Sequence, residues 1–228
     1  DVRLVGSEMC IRDSDNGDGG GTTANGQLES GEVDFSTTFC TKSMLVRIDI
    51  NNLGSINSSP QSLTVFNNEL YFNADDGASG LELWKTDGTT TGTSIVANIN
   101  PGSGSSDPHD LTVFNNELYF SAEDGVNGRE LWKYDGLNAP SMVSNINPGN
   151  ANTYLGDLTL FDNELYFRAK DGFHGTELWK CDGLNAPSMV ADIRPGAGSS
   201  YPADLTVFSN ELYFSANGGT DGRELWKY

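Results

Sequence analysis

Three observations predict an all-β chain built as a β-propeller of four four-stranded blades. A ten-residue phrase occurs four times, as LTVFNNELYF at 63–72 and 111–120, LTLFDNELYF at 158–167 and LTVFSNELYF at 205–214. The copies open at Leu63, Leu111, Leu158 and Leu205, so the unit is 47 or 48 residues long. A period of that size marks a stacked or radially repeated architecture. Within each unit, short apolar or alternating runs are broken by Gly, Asn, Asp and Pro, and no stretch holds a helical period.

The unit 111–157 shows the elements in order. LTVF is a short β-prone run. NN follows, a pair able to turn tightly because Asn tolerates positive φ. ELYFSA alternates, with Leu118, Phe120 and Ala122 on one side and Tyr119 and Ser121 on the other. EDGVNG is a second turn, RELWKY a third strand and DGLNAP a third connection. SMVSNI is the fourth strand, and NPGNANTYLGD leads into the next unit. Four short antiparallel strands in this length match one propeller blade.

The ends of the array carry the closure argument. The units run 63–110, 111–157, 158–204 and 205–228, and the last stops at ELWKY, after its third strand. Upstream, MLVRIDINN (44–52) aligns with SIVANINPG (94–102) and SMVSNINPG (141–149), which are fourth strands. Strand 44–50 is therefore expected to complete the last blade and close the ring, removing open sheet edges. Two rival arrangements fit the same pattern. The chain is a piece of a longer array, or strand 44–50 completes the last blade of a neighbouring molecule. Repeated head to tail, that donation gives a filament.

Repeated side chains read first as scaffold. Trp84, Trp132, Trp179 and Trp226, and Tyr71, Tyr119, Tyr166 and Tyr213, offer large apolar area to a neighbouring blade. A ring of sugar-stacking aromatics is the alternative. Cys181 sits where sister units have Thr86 and Tyr134, and reads as a bystander thiol. Asp76, Asp124 and Asp171 precede Gly in the second turn and are expected to cap it, while Glu82, Glu130, Glu177 and Glu224 are expected to bond a neighbouring loop. The alternative is a ring of carboxylates that collects cations.

Composition narrows the partners. With 32 acidic against 13 basic residues the formal charge is −19, which repels nucleic acid and anionic lipid and favours divalent cations. No run approaches the roughly 18 apolar residues of a membrane span. Cys10, Cys40 and Cys181 are too few for a disulfide scaffold; Cys10–Cys40 is the one pair they suggest. His109 and His174, the two histidines, occupy unlike positions in the repeat, and no nucleophile elbow, HExxH, phosphate loop or CxxC occurs. No enzymatic activity is expected.

Residues 1–43 form an acidic, Gly-rich segment ahead of the repeats at 44–228. VGSEMCIRDS (5–14) resembles a peptide encoded by sequencing-adapter DNA, and nothing rests on residues 1–14. ANGQLESGEVDFSTTFC (24–40) is similar to a short bacterial segment that resembles a calcium loop. The candidate ligands are Asp15, Asp18, Asn25 and Glu32, because calcium takes six to eight oxygens from such loops. The earlier ligand positions of the pattern are not matched, and the alternative is a flexible linker.

At ELWKTDGTTTGT (82–93) the chain resembles the bacterial ELWxxDGT repeat family, with further copies at 130–140, 177–187 and 224–228. Only the first copy keeps the full DGT. The resemblance covers about 44–228 and implies a β-propeller on a secreted or cell-surface protein without known catalysis. The expected function is a structural, self-assembling extracellular module, with itself or a surface glycan or protein as partner. A lectin-like or protein-binding propeller within a larger secreted protein is the alternative.

Overall fold

The computed structural model describes residues 47–50 and 57–228. The chain divides into two compact units, Asp1–Arg47 and Ile48–Tyr228, and every described strand lies in the second. That unit is all-β, with four antiparallel sheets in chain order. The first is β1 (Gln61–Phe66), β2 (Glu69–Asp75), β3 (Leu81–Thr86) and β4 (Ser94–Ala97). The second is β5 (His109–Phe114), β6 (Glu117–Glu123), β7 (Arg129–Tyr134) and β8 (Ser141–Ser144). The third is β9 (Gly156–Phe161), β10 (Glu164–Ala169), β11 (Glu177–Cys181) and β12 (Ser188–Ala191). The last has three strands, β13 (Ala203–Phe208), β14 (Glu211–Asn217) and β15 (Arg223–Lys227).

Each sheet is seeded by the expected two-residue turn. Asn67–Asn68 have φ of 48° and 63°, Asn115–Asn116 49° and 59°, Asp162–Asn163 47° and 59°, and Ser209–Asn210 50° and 60°. Two successive positive φ values give a turn whose twist matches that of the flanking strands. Each first strand also carries a bulge near its start. The ladder shifts register between Gln61 and Thr64, His109 and Thr112, and Ala203 and Thr206.

The sheets touch through alternate faces. The front face of the first sheet presents Phe66, Tyr71 and Leu83, and the back face of the second presents Leu118, Phe120, Trp132 and Tyr134; together they form one buried cluster. The same pairing recurs between the second and third sheets and between the third and fourth. Successive sheets also meet along their first strands, where the Thr64 hydroxyl donates to the Leu111 carbonyl at 3.0 Å and Thr159 donates to that of Leu205 at 3.3 Å. Consecutive first strands lie side by side, but β13 makes no comparable contact with β1. Within the described residues the sheets fan from a shared line without returning to their start.

The expected strand at 44–50 is the point of departure. Its described part, 47–50, carries no ladder, and β15 remains the edge of a three-stranded sheet. Ile50 instead packs against Phe72, Ala74 and Trp84 of the first sheet. The reason is local. The back face of that sheet has no described sheet behind it, and Ile50, eleven residues upstream of Gln61 at the start of β1, supplies apolar cover where the other units use a neighbour.

Candidate functional site

The junction between sheets is built around one carboxylate per unit. Glu82, Glu130 and Glu177, the second residue of each ELW copy's strand or its first, are fully buried. Glu82 accepts hydrogen bonds from the Ile99 and Asn100 amides at 2.9 and 3.2 Å, and from the Ser106 amide and hydroxyl at 3.2 and 2.5 Å. Glu177 accepts from the Ile193 amide at 3.0 Å and from the Ser200 amide and hydroxyl at 3.0 and 2.6 Å. Glu130 accepts from the Ile146 and Asn147 amides at 2.9 and 3.1 Å. Its counterpart of Ser106, Thr153, turns its hydroxyl to the Arg129 carbonyl instead. Each carboxylate thus holds the chain as it crosses from one sheet to the next, satisfying amides that no ladder reaches.

Burial raises all three carboxyls above the ordinary range, against the pull of these hydrogen bonds. The effect is plainest at Glu130, pushed to about 7, where no hydroxyl donor helps the charged form.

The fourth copy lacks this junction. Glu224 lies on exposed β15 and accepts no such amides among the described residues. The front face around it is also bare. Leu225 is 74% exposed where Leu83, Leu131 and Leu178 are at most 1%, and Phe208 is 66% exposed where Phe66 and Phe114 are at most 4%. A sheet that folds like its sisters but leaves both its apolar face and its edge strand open is the strongest candidate interaction surface.

The remaining sequence candidates resolve into scaffold. Trp132 and Trp179 are buried in the inter-sheet clusters, and Trp84 is buried on the back face of the first sheet beside Ile50. Tyr71, Tyr119 and Tyr166 are buried and donate to Glu69, Glu117 and Glu164, which pair with Lys85, Lys133 and Lys180. Burial and the adjacent carboxylates hold these three phenols protonated far above the usual range. Asp76, Asp124 and Asp171 each accept two amides of their own turn, at 2.7–2.9 Å. Cys181 is a buried free thiol whose pKa burial raises. His174 donates within its turn to Asp171, away from His109 on β5. Asp15, Asp18, Asn25 and Glu32 lie outside the described residues. Among those described, no three His, Cys, Asp or Glu gather as metal ligands, and no helix is long and apolar enough to cross a membrane.

No family model and no curated protein sequence matches the chain. Solved structures do. A computationally designed protein is 16% identical, with a TM-score of 0.45, over 83% of this chain and 51% of its own. Prolyl endopeptidase is 12% identical, TM-score 0.47, over 74% and 26%. An endo-arabinase from Bacteroides thetaiotaomicron is 13% identical, TM-score 0.34, over 76% and 75%. The chain therefore spans about half the length of the first and about a quarter of the second. At these identities and scores none of them informs the chemistry of this chain.

Proposed function

We propose that the chain is a non-enzymatic extracellular or cell-surface module that assembles head to tail with its own kind. The three-stranded last sheet accepts a fourth strand from the fourth-strand-like stretch 44–50 of another copy, which brings a back face to cover Leu225 and Phe208. Glu224 then receives amides as Glu82, Glu130 and Glu177 do. The observation that carries this reading is the exposure of Leu225 against the complete burial of its three sisters. In the same reading, Asp15, Asp18, Asn25 and Glu32 supply oxygens to a calcium ion.

Light scattering across a concentration series, with electron microscopy of the largest species, tests the assembly. The mass is expected to rise with concentration, and Leu225→Asp or Val46→Pro is expected to hold the chain at one copy; proline removes the amide the donated strand needs. A wild-type mass of one copy at every concentration refutes the reading.

A further inference from the structure

A cavity lies apart from the open end, at the heads of the first strands of the last three sheets. All four units share a backbone frame there. Ser62, Asp110, Asp157 and Asp204 take φ of 55–59°, and the residues three places earlier, Ser59, Asp107, Tyr154 and Tyr201, take 42–54°. Ser106, Thr153 and Ser200 are buried within the frame, and their carbonyls accept the amides of Glu123, Lys170 and Asn217 at 2.7–3.0 Å.

On this common frame the side chains differ. The earlier left-handed position holds Ser59, Asp107, Tyr154 and Tyr201. Two places later stand Gln61, His109, Gly156 and Ala203. The variable residue of the ELYFxA strand is Asn73, Ser121, Arg168 or Ser215, and the residue before the junction glutamate is Leu81, Arg129, Thr176 or Arg223. A repeat array carries specificity where a fixed backbone presents unlike side chains. Six of these residues line one cavity of about 370 Å³: Asp107, His109 and Arg129 at the second sheet, Tyr154 and Arg168 at the third, and Tyr201 at the head of the fourth. Small-molecule sites span roughly 300–1,000 Å³.

Several features of the lining are built rather than incidental. Tyr154 and Tyr201 are 59% and 53% exposed while held at positive φ, a backbone region that suits Asp or Asn and offers a bulky ring nothing in return. Arg129 donates to the Asp107 carboxylate at 2.9 Å and to the Asp107 carbonyl at 2.8 Å, and its guanidinium lies 2.9 Å from His109 Nδ1, which is itself 3.1 Å from the Asp107 carbonyl. Arg168 is fixed by an ion pair with Asp157. Gly156 makes room for that guanidinium: a Cβ there would lie 2.9 Å from Arg168 Nη2 and 3.3 Å from the Asp110 carboxylate.

We infer that this cavity is a binding site for a neutral saccharide. Two exposed phenol rings offer faces for the C–H side of a sugar ring. Planar donors on Arg129 and Arg168 and an acceptor on Asp107 suit adjacent hydroxyls, each of which both gives and takes a hydrogen bond. Charge decides against an anion. Each arginine already has its own aspartate, Asp110 adds a further carboxyl beside them, and the chain as a whole carries −19. The site stands independently of head-to-tail assembly, since it does not involve β15 or residues 44–50.

Native affinity electrophoresis of the full chain tests it, with arabinan, galactomannan, xylan, mannan and hydroxyethylcellulose as neutral polymers and alginate and polygalacturonate as acidic ones. Calorimetry with oligosaccharides of the retarding polymer follows. At least one neutral polymer is expected to retard the protein. Tyr154→Ala and Tyr201→Ala should each weaken binding about tenfold, Tyr154→Phe should keep most of it, and Gly156→Ala should lower it by displacing Arg168. Leu137→Ala, on a solvent-exposed loop outside the cavity, should leave it unchanged. Thermal unfolding of each variant separates lost binding from lost fold. Absence of retardation by every neutral polymer, retardation by the acidic polymers alone, or unaltered affinity in the folded double alanine variant overturns the inference.

Discussion

The second and the last sheets are nearly the same sequence in two surroundings. In both, the strand after the turn pairs with the ELW strand in one register, Phe120 opposite Trp132 and Phe214 opposite Trp226. In both, a Lys–Glu–Tyr group decorates the front face, through Lys133, Glu117 and Tyr119 or Lys227, Glu211 and Tyr213. Yet Leu131 is completely buried and Leu225 is 74% exposed, and Glu130 is buried beneath a crossing segment while Glu224 faces solvent. Hairpin geometry is therefore a property of the unit, whereas burial of its front face is a property of the next unit. The last sheet keeps its shape because its back face, Leu212, Phe214 and Ala216, is still buried against the third sheet.

The largest effect that probes this contrast is a paired truncation. Leu131→Ala should cost about 2–5 kcal/mol, the range for a fully buried leucine, and Leu225→Ala less than about 0.5 kcal/mol in the isolated chain. Denaturant unfolding at low protein concentration measures both. An equal loss at the two sites would mean that the front face of the last sheet is covered in solution.

A pH effect of intermediate size tests the burial of Glu130 in the second sheet. The Glu130 carboxyl is raised by burial to about 7. Because the folded state then binds the proton more tightly than the unfolded state, protonation favours folding. That contribution is present in full below the ordinary carboxylate range and is lost as pH rises through about 7. Unfolding midpoints at mildly acidic and mildly alkaline pH should differ less in Glu130→Gln than in the wild type. A pH dependence unchanged by Glu130→Gln would place the titrating group elsewhere.

The smallest effect sharpens the comparison from the other side. Asn116 and Asn210 hold equivalent turn positions with φ of 59° and 60°. Alanine at either should cost about 1 kcal/mol, and equally, because the left-handed conformation is local to the turn. Denaturant midpoints of the two variants check this. A much smaller loss at Asn210 would show that the last hairpin is not held as firmly as its sisters.

The strands and turns were legible in the sequence because their determinants lie within a few residues. Two asparagines specify the turn, and alternation around Glu-Leu-Tyr-Phe specifies the two faces. The junction glutamates were legible as loop anchors because they recur at one place in the unit. The cavity was missed, although a signal was present. Tyr154, Tyr201, Arg129 and Arg168 stand in columns where otherwise matched units disagree, and attention to what repeats passes over such columns. His109 has no symmetric counterpart in the repeat, the property that makes it part of an asymmetric lining. The stretch 44–50 resembles the fourth strands, but likeness to a strand does not name its partner.

The amino-acid order by itself determined the hairpins, their turns, the division of each sheet into a front and a back face, and the carboxylate placed to secure each crossing. These depend on backbone preferences and on periods of two residues, which act over short distances. Only the tertiary structure decided which faces are covered, that Ile50 leans on the first sheet while the outer edge of β15 takes no described strand, and which unlike side chains meet at the strand heads. Those outcomes depend on contacts between residues separated by one or more units, where identical local sequences meet different neighbours.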